Sequence, residues 1–361
     1  MTRKPPGELR KGWATGACAT AATRAAYAAL LTGRFPDPVT ITLPRGERPS
    51  FPLVRAERGP DYAEAAVVKD AGDDPDVTHG ATVAARVRPA APGAGVEFRA
   101  GEGVGTVTLP GLPLAVGEPA INPAPRKMMS AVVAELAAAH GAAGDVEITI
   151  SIPGGEKLAK RTWNPRLGIV GGLSILGTTG IVIPYSCSSW IRSIHNGIDV
   201  ARATGIEHVA GSTGATSEAA VKQMYELGDT ALLDMGDFVG GMLKYLRKRP
   251  LPRLTIAGGF AKISQLAAGH LDLHSSRSGV DVAALAAALA KLGAAPELVA
   301  RARAATTANQ VLALAREGGA PLADVVARRA REVALATLSG GIAVDVVVFD
   351  REGRLLGHAG P

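Results

Sequence analysis

Cysteine is scarce in this chain of 361 residues, with only Cys18 and Cys187, far apart and at no metal-ligand spacing. That excludes a disulfide framework and fits a reducing compartment. Aromatic residues are 4% of the sequence, too few for the stacking platforms of a single-strand nucleic-acid binder. There is no block of like charge and no basic helix beside a zinc or helix-turn-helix pattern, so nucleic acid is not an expected partner. The 44 glycines and 24 prolines follow no Gly-X-Y period, which excludes a collagen-like rod. A repeat of solenoid length, a Walker A motif, a nucleophile elbow and an HExxH motif are all missing. The segment Met1 to Leu9 has no apolar core of signal-peptide length.

What is present is a soluble, globular composition, 47% hydrophobic and 20% charged. At about 150 residues per domain the length predicts roughly two or three domains. The net charge is +6, and of the 39 basic residues 28 are Arg and 11 Lys. A modest excess of this kind suits a multiply anionic small substrate, and a genomic Arg bias would give the same count. Leu167 to Trp190 carries no charge over 24 residues and meets the length rule for a membrane helix. Its five glycines, Pro184 and several Ser and Thr read instead as strand, loop and strand. The expectation is a cytoplasmic protein with no membrane partner.

The fold class expected is mixed, α+β followed by α/β. From Thr15 to Leu31 a run rich in Ala, closed by Gly33, predicts a helix. Short alternating or β-branched runs follow at Val39–Leu43, Phe51–Ala56, Ala65–Lys69, Ala81–Val87 and Val96–Arg99. A helix from about Pro125 to His140 and a strand over Val146–Ile152 complete a mixed α+β domain, placed at residues 1–160. In residues 161–361 the rhythm changes to strand, Gly-rich loop and helix. Three such units start at His208, Ala231 and Leu254, which predicts a parallel sheet with crossover helices. Ligands of such sheets sit beyond the carboxyl ends of the strands, where Gly211-Ser212-Thr213-Gly214 and Gly258-Gly259 fall. Asp281 to Ser339 reads as helical, and Ala343 to Gly357 as a closing hairpin turning at Asp350–Gly353.

Three motifs carry chemical interest. Asp70-Ala71-Gly72-Asp73-Asp74-Pro75-Asp76-Val77-Thr78-His79-Gly80 crowds four carboxylates and an imidazole directly after a strand. Crowded carboxylates repel, so one of them is raised in pKa unless cations or donors offset it, which is how a general base is made. The spacing fails the calcium-loop pattern, and a solvated turn with Asp side chains on local donors is the alternative. Gly101-Glu102-Gly103-Val104-Gly105 looks like a dinucleotide loop, but Thr106-Val107-Thr108-Leu109-Pro110 starts no helix after it, which favours a glycine turn between strands. Gly177-Thr178-Thr179-Gly180, preceded by Asn164-Pro165-Arg166, offers backbone donors and a guanidinium to an anion, or is a strand whose glycines relieve crowding. His140, His195 and His208 are isolated and read as structural.

Taken together the motifs resemble the CbiD family, the cobalt-precorrin-5B methyltransferases of anaerobic cobalamin biosynthesis. The strings that carry the resemblance are Leu9-Arg10-Lys11-Gly12-Trp13-Ala14-Thr15-Gly16, Lys69 to Gly80, Gly101 to Thr108, Val116 to Pro123, Ile152-Pro153-Gly154-Gly155-Glu156 and Asn164 to Gly180. The sequence departs from the family pattern at Ala14 and Ala17, where threonines are usual, at Gly259, and over Tyr185–Trp190.

The resemblance implies methylation of the corrin-ring carbon C-1 with S-adenosylmethionine as cofactor, and a cobalt-bearing, anionic corrinoid as substrate, with the metal belonging to that substrate and none to the protein. From the crowding of the acidic loop, Asp70, Asp73, Asp76 and His79, with Asp74 in the same loop, are the candidates for a base. The cofactor is expected on Gly211, Ser212, Thr213, Gly214, Gly258 and Gly259. The macrocycle is expected on Thr15, Gly16, Glu118, Asn122, Asn164, Arg166, Gly177, Thr178, Thr179 and Gly180. Self-association into a homo-oligomer is left open. A corrinoid-binding protein without catalysis is the alternative, and a phosphate-handling enzyme is disfavoured because no loop carries a Lys-Ser/Thr signature.

Overall fold

The computed structural model describes residues 7–274 and 278–361, so most of the Met1–Leu9 segment lies outside the described residues. The chain divides into two compact units, Met1–Cys187 and Ser188–Pro361.

The first unit opens with β1 (Gly12–Trp13) and α1 (Thr15–Thr32), followed by β2 (Val39–Thr40), β3 (Ser50–Phe51), β4 (Leu53–Arg58), β5 (Ala63–Val68), β6 (Thr82–Pro89), β7 (Val96–Ala100) and β8 (Thr106–Val107). It continues through α2 (Pro123–His140), β9 (Val146–Ser151), α3 (Gly155–Ala159), β10 (Ile169–Val170) and β11 (Ile181–Val182). Its main sheet has the order β4-β5-β6-β9-β7, antiparallel except for the parallel pair β7 and β9. Alternation along the strands separates two faces. One carries Ala63, Ala65, Val67, Val83, Ala85, Val87, Ile148 and Ile150 into the core, where α1 and α2 pack. The other is polar, with Glu64 between Arg55 and Arg86 and Glu147 between Arg88 and Arg99.

Helix α1 is buried on nearly every side, and Ala fills it because β5 and β6 press against it. Ala has the best helix propensity and lets helix and sheet approach closely. Gly33 stops the helix in the left-handed conformation (φ 78°), its N–H bonded to the Ala29 carbonyl. The expected boundary at residue 160 falls inside this unit. The reason is long-range pairing, since β10 pairs with β8 and β11 with β1, which draws residues 161–187 back to the first unit.

The second unit takes up α4 (Cys187–Ala203), β12 (His208–Ser212), α5 (Ala215–Met224), β13 (Leu232–Asp234), α6 (Val239–Lys248), β14 (Arg253–Gly259) and α7 (Phe260–Ala267). A helical stretch follows, with α8 (Val282–Lys291), α9 (Pro296–Arg303), α10 (Ala308–Glu317) and α11 (Leu322–Leu338), before β15 (Ala343–Phe349) and β16 (Leu355–Ala359). The sheet order is β13-β12-β14-β15-β16, parallel except for the last strand. This is the parallel sheet with crossover helices expected from the sequence. Helix α4 was not expected. Its signal is Ile191, Ile194, Ile198 and Ala201 at helical spacing, of which Ile194, Ile198 and Ala201 are fully buried. Among the described residues no helix is long and apolar enough to cross a membrane, and Leu167–Trp190 carries β10, β11 and the start of α4.

The close fit of α1 on the sheet predicts the response to overpacking. Ala85→Leu on β6 should destabilise the protein by about 1–3 kcal/mol, read as a lower urea midpoint. An unchanged midpoint would contradict the packing described.

Candidate functional site

In the first unit the chain's opening segment lies against the acidic loop. The Trp13 N–H donates to the Asp70 carbonyl (2.7 Å), the Asp73 N–H to the Arg10 carbonyl (3.0 Å) and the Arg10 N–H to the Asp73 carboxylate (2.6 Å). The Arg10 guanidinium grips Asp70 with two bonds of 2.5 and 2.8 Å. The backbones meet so closely that a Cβ on Gly12 would lie 2.0 Å from the Ala71 carbonyl carbon, and one on Gly72 (φ 67°) 2.2 Å from the Arg10 carbonyl oxygen. Only glycine fits at both places.

The carboxylates of the loop thus have separate tasks. Hydrogen bonds from Arg10, then from the Gly72 N–H, hold Asp70 down to about 2. Burial pushes Asp76 upward, but the Lys69 ammonium and the Thr78 donors outweigh it and keep the carboxyl below its ordinary value. Lys69 is 2% exposed and bonds Asp76 and the Thr78 hydroxyl. An ammonium so deeply buried requires a partner. The exposed His79 accepts the Ala71 N–H at Nδ1 (3.1 Å), which leaves its proton on Nε2.

Asp74 is different. Among the described residues it has no ion pair, and its Oδ1 accepts the Tyr185 N–H (2.7 Å). Burial, opposed by that bond and reinforced by the charge of Asp76, raises its pKa. Tyr185 stands in the left-handed region (φ 56°), rare for a residue with a side chain and concentrated at functional sites. Among the described residues no group of three or more His, Cys, Asp or Glu has the geometry of a metal site.

Several residues expected to hold the macrocycle come together at the starts of α1 and α2. The Gly16 N–H donates to the Leu176 carbonyl (2.9 Å), the Ala14 N–H to Gly180 (2.8 Å) and the Asn122 N–H to Ile175 (2.9 Å). Thr15, Gly16, Asn122 and Gly177-Thr178-Thr179-Gly180 therefore form one cluster, in which the side chain of Asn122 makes no capping bond. Thr178 is exposed. Glu118 instead pairs with Arg126 (3.3 Å). Asn164 is buried, donating to the Gly172 carbonyl and accepting from Ser174, which clips the loop between them. Arg166 lies on the single helical turn Asn164–Leu167. The Gly101–Gly105 loop leads into β8 and no helix, and its glycines serve close packing: a Cβ on Gly103 would lie 1.9 Å from the Ile152 carbonyl oxygen.

The second unit presents the other glycine loops. Strand β12 lies between β13 and β14, so the chain leaves β12 to one side and returns to the other. The crevice at such a reversal is the usual ligand site of a parallel sheet. There Ser212 stands level with Asp234 and Ala257, and the Thr213 N–H donates to the Ala257 carbonyl (3.0 Å). The expected cofactor residues are thus brought together. A Cβ on Gly214 or Gly259 would meet no atom within 4 Å, so there is open space over both. The Ser212 hydroxyl is fully buried and has no partner among the described residues. The isolated histidines have structural places, His208 on Thr255 (2.8 Å) and His195 stacked on Tyr245, while His140 ends α2.

The CbiD family model matches residues 2–184, and that of the CbiD C-terminal domain matches residues 272–360. The chain belongs to the CbiD family. Among similar members is the cobalt-precorrin-5B C(1)-methyltransferase of Paramagnetospirillum magneticum, 62% identical over 352 residues, 97% of this chain and 98% of the relative. The protein of the same name from Rhodospirillum rubrum is 61% identical over 353 residues, 98% of each chain. The crystal structure of a cobalamin biosynthesis protein (cbiD) from Archaeoglobus fulgidus covers 87% of this chain and 86% of its own at 23% identity, with a TM-score of 0.40.

The grip of Arg10 on Asp70 gives the acidic loop a pH signature. A carboxyl held below its unfolded value contributes stability above that value and loses it as pH falls. The contribution should therefore be present above 3.8 and fade towards about 2. Thermal melts of wild type and Asp70→Asn should diverge above that window and converge within it. A constant difference down to pH 2 would contradict the assignment.

Proposed function

We propose that the chain transfers a methyl group from S-adenosylmethionine to C-1 of cobalt-precorrin-5B, giving cobalt-precorrin-6A. The observation that carries this reading is the match, over 97% of the chain, to relatives named for that methylation.

The loops at the ends of β12 and β14 fit the cofactor. A buried, unpartnered Ser212 hydroxyl and the open space over Gly214 and Gly259 leave room and donors for a ligand, and the first turn of α5 offers backbone N–H groups to its carboxylate. When bound, S-adenosylmethionine supplies an electrophilic methyl group. The macrocycle, fringed by acetate and propionate groups, is assigned to Thr15, Gly16, Asn122 and Gly177–Gly180. The starts of α1 and α2 bear the positive ends of two helix dipoles there, which favours carboxylates.

Of the acidic loop, we assign proton transfer to Asp74. Asp70, Asp73 and Asp76 are engaged by Arg10, the Arg10 backbone and Lys69. Among the described residues Asp74 forms no ion pair, and burial with the charge of Asp76 outweighs the Tyr185 bond and the charge of Lys69 to raise its pKa, which suits a base; Oδ2 is the oxygen left by the Tyr185 bond. The other carboxylates then hold the loop that positions it.

Anaerobic incubation with methyl-labelled S-adenosylmethionine and cobalt-precorrin-5B should give a corrinoid labelled at C-1 by NMR. Corrinoid binding without transfer would return the chain to the carrier reading. Asp74→Asn should lower the single-turnover rate by about 10²-fold or more with an unchanged melting temperature. A near-normal rate would remove Asp74 from the reaction.

A further inference from the structure

Resting on the assignment of the cofactor to the strand ends of the second unit, we infer that the Ser212 hydroxyl selects a cofactor with an aminoacyl carboxylate, donating to that carboxylate beside the start of α5. Ser212 is the last residue of β12. Side chains alternate along a strand, so it shares a face with Ala210, and register sets it level with Ala257. Ala210 and Ala257 are both fully buried, in a cluster with Val221 of α5. The hydroxyl is therefore on the face that α5 covers, three residues before that helix begins at Ala215. Both of these neighbours are alanines, so packing against them asks for no more than a methyl group at position 212.

The backbone around Ser212 is already committed. Its carbonyl accepts the Gly236 N–H (3.1 Å), and the next N–H along the chain, that of Thr213, donates to the Ala257 carbonyl (3.0 Å). The hydroxyl is left over, fully buried and without a partner among the described residues. A buried hydroxyl in that state costs stability in the free protein, and a ligand acceptor removes the cost. Rotation about one side-chain torsion redirects the oxygen towards it. What the ligand must bring is set by the helix. Helix α5 is 10 residues long, no side chain caps its start, and the Ser217 hydroxyl donates to the Gly214 carbonyl (2.9 Å) instead of accepting a first-turn N–H. Uncapped N–H groups and the positive end of the dipole favour an anion. A Cβ on Gly214 would meet no atom within 4 Å, so there is space for one. The anionic group of S-adenosylmethionine is the carboxylate of its aminoacyl end.

The test uses the full chain, S-adenosylhomocysteine and 5′-methylthioadenosine, which keeps the adenosine and the sulfur but lacks the aminoacyl group, with affinities from calorimetry. Wild type should bind S-adenosylhomocysteine the more tightly. Ser212→Ala should bind it about 10- to 100-fold less tightly than wild type does, the effect of one hydrogen bond to a charged group, with unchanged affinity for methylthioadenosine. Without ligand the variant should melt about 2–4 °C above wild type, because the orphaned hydroxyl is gone. A hydroxyl with a merely structural role would give the opposite shift. Equal affinity of wild type for the two ligands would overturn the inference without any variant. So would a Ser212→Ala protein that keeps its affinity for S-adenosylhomocysteine, weakens towards both ligands alike, or melts no higher than wild type, and in each case the cofactor assignment would stand. Failure of wild type to bind S-adenosylhomocysteine at all would overturn that assignment, and this inference with it.

Discussion

The contact of backbone against backbone between Gly12 and Gly72, with no side chain between the two segments, is the constraint on which the first unit's site depends. It brings Arg10 onto Asp70 and Asp73, seats β1 for pairing with β11, and so fixes where α1 begins. The Gly177–Gly180 loop then meets the start of that helix. A Cβ at either glycine would force the segments apart and dissolve this arrangement without touching the hydrophobic core behind it.

Charge follows from the same contact. Two cations, Arg10 and Lys69, enter the loop, and Lys69 is buried deeply enough that losing Asp76 would strand its charge, an error that costs about 3–5 kcal/mol in comparable sites. Three carboxylates are engaged in this way with the two cations and the Arg10 backbone N–H. The loop is therefore neither an ordinary solvated turn nor a set of equivalent acids. It is a scaffold that leaves one half-buried carboxyl, Asp74, without an ion pair among the described residues. The second unit reaches a comparable result by register instead of charge, since parallel pairing of β12 with β13 and β14 aligns Ser212, Asp234 and Ala257 at one edge.

Much of this was legible in the sequence where local rules operate. The Ala run from Thr15 to Gly33 and the three strand, loop and helix units announce themselves through propensity, stop signals and the spacing of apolar runs. The β-branched pair after the Gly101 loop favours a glycine turn over a dinucleotide site, and β8 is indeed a strand. The rest depends on distant partners. Arg10 and Asp70 are 60 residues apart, and two-residue strands such as β10 and β11 carry no periodicity, so residues 161–187 could not be assigned to the first unit from pattern. Helix α4 was hidden because the uncharged, Gly-rich stretch before it dominated the reading. Asp74 could not be told from its neighbours, since its distinction is a bond from Tyr185, whose left-handed backbone no local rule announces.

A crystal structure of the protein with S-adenosylhomocysteine tests the central assignment most directly, because it locates the ligand without reference to turnover. The account predicts the adenosyl group over Ser212–Gly214 and Gly258-Gly259, at the carboxyl ends of β12 and β14. An adenosyl group seated in the first unit, on the Gly101–Gly105 loop, would contradict it.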